Sequence, residues 1–176
     1  MARIPYADDK NTDPEFVALA GQVRAERGGK LHNLYRMLLN SPPVAQGWLN
    51  LLTAVRQKAK LKGRYRELAI LLVAIINGAE YERAGHVPHA KKEGVTDAQI
   101  DALADWKNSS EFDAADRAVL AYTDAMTENV QVGDDVFAAV KKHFDAREMT
   151  ELTATIGAYN LVSRFLVALQ VDHEKR

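Results

Sequence analysis

Apolar residues recur three and four positions apart along nearly the whole chain, which is the spacing of one face of an α-helix. Nowhere do they alternate as a half-buried strand requires. The pattern predicts an all-α protein: a single-domain, compact helical fold of eight or nine helices over residues 1–176. Residues 1–12 read as an irregular lead-in and about 31–170 as the core.

The breaks between helices carry their own chemistry. Asp13-Pro14-Glu15 starts the first helix, since Asp13 can cap free amides and Pro14 suits the first helical position, and Gly28-Gly29 ends it beyond Arg27. Leu31, Leu34, Tyr35 and Leu38 predict a short helix to about Asn40; Ser41-Pro42-Pro43 opens another with Trp48, Leu51, Leu52 and Val55 inward. Thr96 with Gln99, and Asp145 with Glu148, have capping-box spacing. Between those two caps the spacing predicts helices over Phe112–Glu128, with Ala115, Val119, Tyr122 and Met126 as the apolar face, and from Gly133-Asp134 to near Phe144. The last helix runs to about Gln170 with Leu152, Ile156, Tyr159, Val162 and Leu166 inward, and the tail HEKR reads as solvated.

One stretch departs from simple amphipathicity. Arg64 to Asn77 is apolar on all sides, which marks a central buried helix, and Gly78 is placed to end it. A more polar helix follows from Ala79 to Glu93, stopped by Gly94, and brings Glu80, Glu82, His86 and His89 close to the buried one.

Composition narrows the function classes. Net charge is −1 with no basic concentration in either half, so nucleic acid is not an expected partner. There is no cysteine, which removes disulfides, thiolate metal sites and thiol nucleophiles together. The start MARIPYADDK lacks the apolar core of a signal peptide, and the longest apolar run, Leu68 to Ile76, falls short of the roughly 20 residues of a membrane span. The expectation is a soluble cytoplasmic protein that does not engage a membrane.

Several polar residues are candidates for a site. Glu67, near the start of the buried helix, reads either as helix electrostatics or as a buried acid whose pKa is raised by desolvation. Glu82, His86 and His89 share i, i+4, i+7 spacing and admit three readings. They form a solvated stripe, a metal site of three N/O ligands, or an acid–base group in which the carboxylate tunes the imidazole. Beside them, Gly85 leaves room for another backbone, and Pro88 cannot donate to the Ala84 carbonyl, which predicts a kink. On the last helix, Asn160 reads as a satisfied core polar group, and Arg164 as a snorkelled surface cation or a grip for a substrate carboxylate. His32, His143 and His173 have no distinctive context.

The segment RELAILLVAIINGAEYERAGHVPHAKKEGVTDAQIDAL resembles the carboxymuconolactone decarboxylase and alkylhydroperoxidase D superfamily. HNLYRMLLNSP upstream and EMTELTATIGAYNLVSRF downstream extend the resemblance from about Leu31 onward. It implies the alkylhydroperoxidase D-like helical fold and homo-oligomers, often trimers or hexamers, with sites near subunit boundaries. Peroxidases of the family carry a Glu, a Cys-x-x-Cys pair and a His in fixed spacing. Here these positions fall on Glu67, on Ala79 and Glu82, and on His86, so the proton-relay ends are kept and both thiols are gone. Thiol peroxidase chemistry needs an attacking and a resolving thiol, which Ala79 and Glu82 cannot supply. The expectation is therefore a cofactor-free acid–base lyase or isomerase acting on a small carboxylated or lactone-like substrate. Glu67, His86 and Glu82 are its catalytic candidates, and Tyr81, His89, Asn160 and Arg164 its substrate-binding candidates. A non-catalytic ligand-binding oligomer is the alternative; antioxidant activity by a non-thiol route, or through a metal at Glu82, His86 and His89, comes third.

Overall fold

The computed structural model describes residues 1–174, which form nine α-helices with no strand among them. In chain order these are α1 (Pro14–Glu26), α2 (Asn33–Leu38), α3 (Pro42–Thr53), α4 (Gly63–Ile76), α5 (Glu80–Lys92), α6 (Asp97–Ala102), α7 (Ala114–Glu128), α8 (Asp134–Lys141) and α9 (Ala146–Leu169). They build two compact units, one of Met1–Lys58 with the chain from Leu166 onward, the other of Ala59–Phe165.

In the first unit Asp13 caps α1 as its sequence predicts, accepting from the amides of Glu15 and Phe16, and α1 ends at Glu26. Phe16, Leu19, Val23, Tyr35, Leu38, Trp48 and Leu52 are buried. Leu51 is not: it is 40 % exposed, because it falls one position off the stripe through Trp48, Leu52 and Val55. The helix is then wound into a π-helical turn over Ala54–Lys58, which nothing in the spacing predicts. Arg27 stitches the unit together, donating to the Tyr35 hydroxyl at 3.1 Å and to Thr53 Oγ1 at 2.9 Å. The lead-in is irregular but fastened: the Arg3 amide donates to the Leu169 carbonyl at 2.9 Å, and Asn40 donates to the Pro5 carbonyl at 2.9 Å. At the other terminus His173 and Glu174 are exposed, and Glu174 accepts from the Asn33 amide at 2.8 Å. Lys175 and Arg176 of the expected solvated tail lie outside the described residues.

The second unit is organised around α4. Every residue from Glu67 to Ala74 is buried, so the helix is enclosed on all sides as its composition requires. Asn77 and Gly78 end it in a Schellman motif: Gly78 adopts φ +62°, its amide bonds the Ile75 carbonyl at 3.2 Å, and the Ala79 amide bonds that of Ala74 at 2.8 Å. This left-handed residue reverses the chain and lays α5 back along α4. Gly94 repeats the motif at the end of α5 with φ +85°. The core then closes with Leu68, Leu71 and Leu72 of α4 against Ala90, Val95, Ile100, Leu103, Trp106, Phe112 and Leu120.

Both predicted capping boxes form, at Thr96–Gln99 and at Asp145–Glu148. α7 starts at Ala114 rather than Phe112, because the Asp113 side chain takes the cap position and accepts from the Asp116 amide at 2.8 Å. Its apolar face is centred on Val119 and Tyr122, with Ala115 and Met126 half-buried. α8 ends at Lys141 rather than near Phe144. α9 buries Leu152, Ile156, Tyr159, Val162 and Leu166 as expected. Among the described helices α9 alone has the length and hydropathy of a membrane span, but half of that window is buried inside the protein.

A polar pair absent from the sequence reading locks α7 to α4. Asp116 is fully buried and takes two bonds from Arg64, at 3.0 and 2.6 Å, while Arg64 also donates to the Gly94 carbonyl at 2.8 Å. The arginine side chain keeps 26 % exposure and the aspartate 1 %. Removing the arginine strands a buried carboxylate, whereas removing the aspartate leaves a cation that reaches water. Arg64→Ala is therefore expected to cost more stability than Asp116→Ala, on the order of 3 kcal/mol for the former. Urea unfolding of both variants measures it, and equal losses would contradict this account.

Candidate functional site

The reversal at Gly78 decides which face of α5 meets α4. Ala79, Glu82, His86 and Ala90 are buried, a stripe at near-i+4 steps, although α5 is otherwise the most polar helix of the unit. The solvated-stripe reading of Glu82 and His86 is thereby overturned. His89 falls off the stripe and is exposed, its ring 5.6 Å from that of His86. No neighbouring backbone among the described residues comes close to Gly85, for a Cβ built there meets nothing within 4 Å. Pro88 lies inside a continuous α5; it and Ala84 are both exposed, so the carbonyl it fails to satisfy is on the solvent side.

The centre of the site is a chain of polar contacts across three helices. Glu67 on α4 is 2 % exposed, and its Oε2 lies 2.7 Å from Nδ1 of His86 on α5. Its other oxygen accepts from Arg66 Nε at 3.1 Å, and Arg66 reaches on to Glu93 at 3.5 Å. On the far side of the imidazole, Nε2 lies 3.2 Å from the Tyr159 hydroxyl of α9 and 4.0 Å from Glu82 Oε1. The Tyr159 ring stands edge-on to the imidazole at 5.1 Å and 90°.

Two expectations for Glu67 change here. It is the fifth residue of α4, beyond the first turn, so helix-end electrostatics does not explain it. Its pKa also moves opposite to the expected direction. Burial pushes it up, but the hydrogen bond and positive charge of His86, backed by the Arg66 guanidinium, outweigh burial and hold it below its ordinary 4.5. Glu67 is a fixed carboxylate, suited to orienting an imidazole rather than to carrying a proton.

The other candidates are placed apart from this chain. Asn160 donates to Thr127 Oγ1 and to the Ile156 carbonyl, both at 3.1 Å, and accepts from Asn77 at 3.1 Å and Arg164 at 2.6 Å. It is the satisfied core amide of one sequence reading, and Arg164, exposed, is folded back onto it. Tyr81 is half-buried on α5. Among the described residues no group of three or more His, Asp or Glu side chains is placed to hold a metal ion, so Glu82, His86 and His89 do not assemble the alternative metal centre. Tyr159 and Arg66 were missed. Tyr159 reads as one more inward apolar residue of α9, yet a fully buried tyrosine hydroxyl requires a partner, and that requirement was the available signal.

Known proteins resemble this chain in sequence and in fold. The sequence profile of the carboxymuconolactone decarboxylase family matches residues 42–125. A protein from Agrobacterium tumefaciens, of unknown function and described as a candidate AhpD-type antioxidant defence protein, superposes with TM-score 0.73 at 27 % identity, over 78 % of this chain and 94 % of its own. The chain is thus similar to the carboxymuconolactone decarboxylase family over residues 42–125 and to an AhpD-type protein in its fold. It is 37 % identical over 83 residues to the uncharacterized protein YnjA of Escherichia coli K12, a match spanning 47 % of this chain and 45 % of that relative's length. Two more distant structures share the fold alone. One is a peroxidase-related protein of Ralstonia eutropha JMP134, with TM-score 0.83 at 15 % identity over 99 % of this chain and 93 % of that one. The other is the debrominase Bmp8, solved with 2,3,4-tribromopyrrole, with TM-score 0.81 at 15 % identity over 99 % and 94 %. The chain has no cysteine, and Ala79 and Glu82 line the stripe where the resemblance puts the thiols.

The lowered pKa of Glu67 fixes a sign. A carboxyl with a depressed folded value stabilises the protein above its ordinary value of 4.5, and that contribution is lost as pH falls through the lower folded value. The stability gap between wild type and Glu67→Gln is thus expected to be full at neutral pH and to shrink below the ordinary carboxylate range. Urea midpoints measured as a function of pH test it; a gap that widens on acidification would refute the assignment.

Proposed function

We propose that the protein is a cofactor-free acid–base enzyme, a lyase or isomerase in which His86 moves a proton at carbon of a small carboxylated or lactone-like molecule. The observation that carries the reading is the Glu67–His86 contact of 2.7 Å, with Nδ1 engaged by a carboxylate and Nε2 left to Tyr159 and Glu82. Such a carboxylate sets the tautomer and stabilises the imidazolium formed when the ring takes a proton. Glu82 stands close enough to Nε2 to stabilise that cation or to take a second proton role. Thiol peroxidase chemistry is not proposed, since the two positions it needs are Ala79 and Glu82. We infer self-association as well, a trimer or hexamer by the family resemblance.

The second reading, a non-catalytic ligand-binding oligomer, is favoured by the saturation of Glu67, both of whose oxygens are bonded inside the protein. The two are separated by incubating the protein in D2O with a panel of γ-lactone carboxylates and β-keto acids, following deuterium incorporation and CO2 release. For a compound turned over, His86→Asn is expected to lower the rate by roughly 10²–10⁴-fold. Glu67→Gln should cost less, because its amide oxygen still accepts from Nδ1–H. Unchanged rates in both variants would sink the acid–base assignment. Light scattering reads the assembly, and a monomer at all concentrations would remove it.

A further inference from the structure

The acid–base reading leaves open which nitrogen of His86 does the work and what keeps it in that state. Glu67 is held ionised, and a carboxylate only accepts, so at 2.7 Å the proton between them belongs to Nδ1. A neutral ring then presents a bare lone pair at Nε2. The Tyr159 hydroxyl lies 3.2 Å from that lone pair and can donate to it, whereas Glu82 Oε1, at 4.0 Å, is beyond hydrogen-bond range.

We propose that Tyr159 is a positioning residue of the site: it fixes the Nδ1–H tautomer of His86 and makes Nε2, set between the Tyr159 hydroxyl and the Glu82 carboxylate, the proton-exchanging nitrogen. The assignment rests on the acid–base reading of His86. A hydroxyl serves both states of the ring. It donates to the neutral imidazole, and when Nε2 takes a proton it rotates and accepts from the new N–H. The edge-on ring at 5.1 Å keeps the imidazole plane from turning away from Glu67. Charge around the ring is arranged for one proton to come and go at Nε2. Glu67, backed by Arg66 and Glu93, faces Nδ1 from α4; Glu82 faces Nε2 and His89 flanks the ring from α5; Tyr159 approaches from α9.

Tyr159→Phe keeps the ring and deletes the hydroxyl, which makes it the test. In protein labelled with ¹⁵N at histidine, Nδ1 of wild-type His86 is expected to stay pyrrole-like through the titration, while Nε2 changes from pyrrole-like to pyridine-like as pH rises. In Tyr159→Phe the Nε2 signal should move as its hydrogen bond is lost, and the midpoint of the His86 titration should move with it. Where a substrate is in hand, kcat should fall roughly five- to tenfold, the worth of one hydrogen bond, with KM little changed and the pH–rate profile displaced. A pyridine-like Nδ1 in the neutral ring of the wild type, or identical Nε2 signals and titrations in the two proteins, overturns the proposal. The spectra need no substrate, so they stand if the protein proves not to be an enzyme. Conversely, a rate that collapses in His86→Asn beside unchanged spectra in Tyr159→Phe removes Tyr159 alone.

Discussion

A carboxylate buried in the most enclosed helix of the chain sets the terms for everything around it. Glu67 sits at 2 % exposure at the head of eight consecutive buried positions of α4. An isolated charge there is disfavoured by several kcal/mol, so it is tolerated only with close partners of opposite sign. Two supply them: His86 from the antiparallel neighbour and Arg66 from the same helix. The requirement explains why so polar a helix as α5 turns His86 inward, against the expectation for charged groups.

The same arrangement divides the chemical roles. Glu67, engaged on both oxygens and held below the usual carboxylate range, behaves as a fixed negative charge. His86 is bonded at both nitrogens and is the group able to change protonation without losing either contact. Glu82 occupies the place at which the family resemblance puts a thiol, so a carboxyl group rather than a nucleophilic sulfur faces the Nε2 side of the imidazole. The chain thus keeps the glutamate and histidine of the pattern it resembles and lacks the cysteine pair. The neighbours of this fold are variously described as peroxidase-related, antioxidant and debrominating proteins, and a shared fold does not by itself fix a chemistry.

The second buried pair, Arg64–Asp116, works differently. It is bidentate, reaches the surface through the arginine, and ties the start of α4 to α7 and to the Gly94 carbonyl. Its geometry suits structure rather than proton transfer, since an arginine does not give up its proton. The two ion pairs sit on successive turns of α4, one fastening the helix and the other equipping it.

The sequence by itself determined the helical class, most helix positions to within a few residues and the central role of α4, and the family spacing singled out Glu67 and His86 without showing that they touch. These are local matters: period, caps, glycines in left-handed turns and an unbroken apolar run act within a few residues and are written in order. Only the tertiary structure decided the rest. Whether His89 or Ala90 continues the stripe of α5 depends on how Gly78 aims that helix, a rotation that spacing at i, i+4, i+7 does not specify. The direction of the Glu67 pKa required knowing that its partners outweigh its burial. Tyr159, 73 positions from His86 in the chain, and Asp116, 52 from Arg64, became polar partners only when folding removed them from water together. A buried hydrogen bond has no signature along the sequence, because the need for it arises from desolvation, and desolvation is a property of the packed protein.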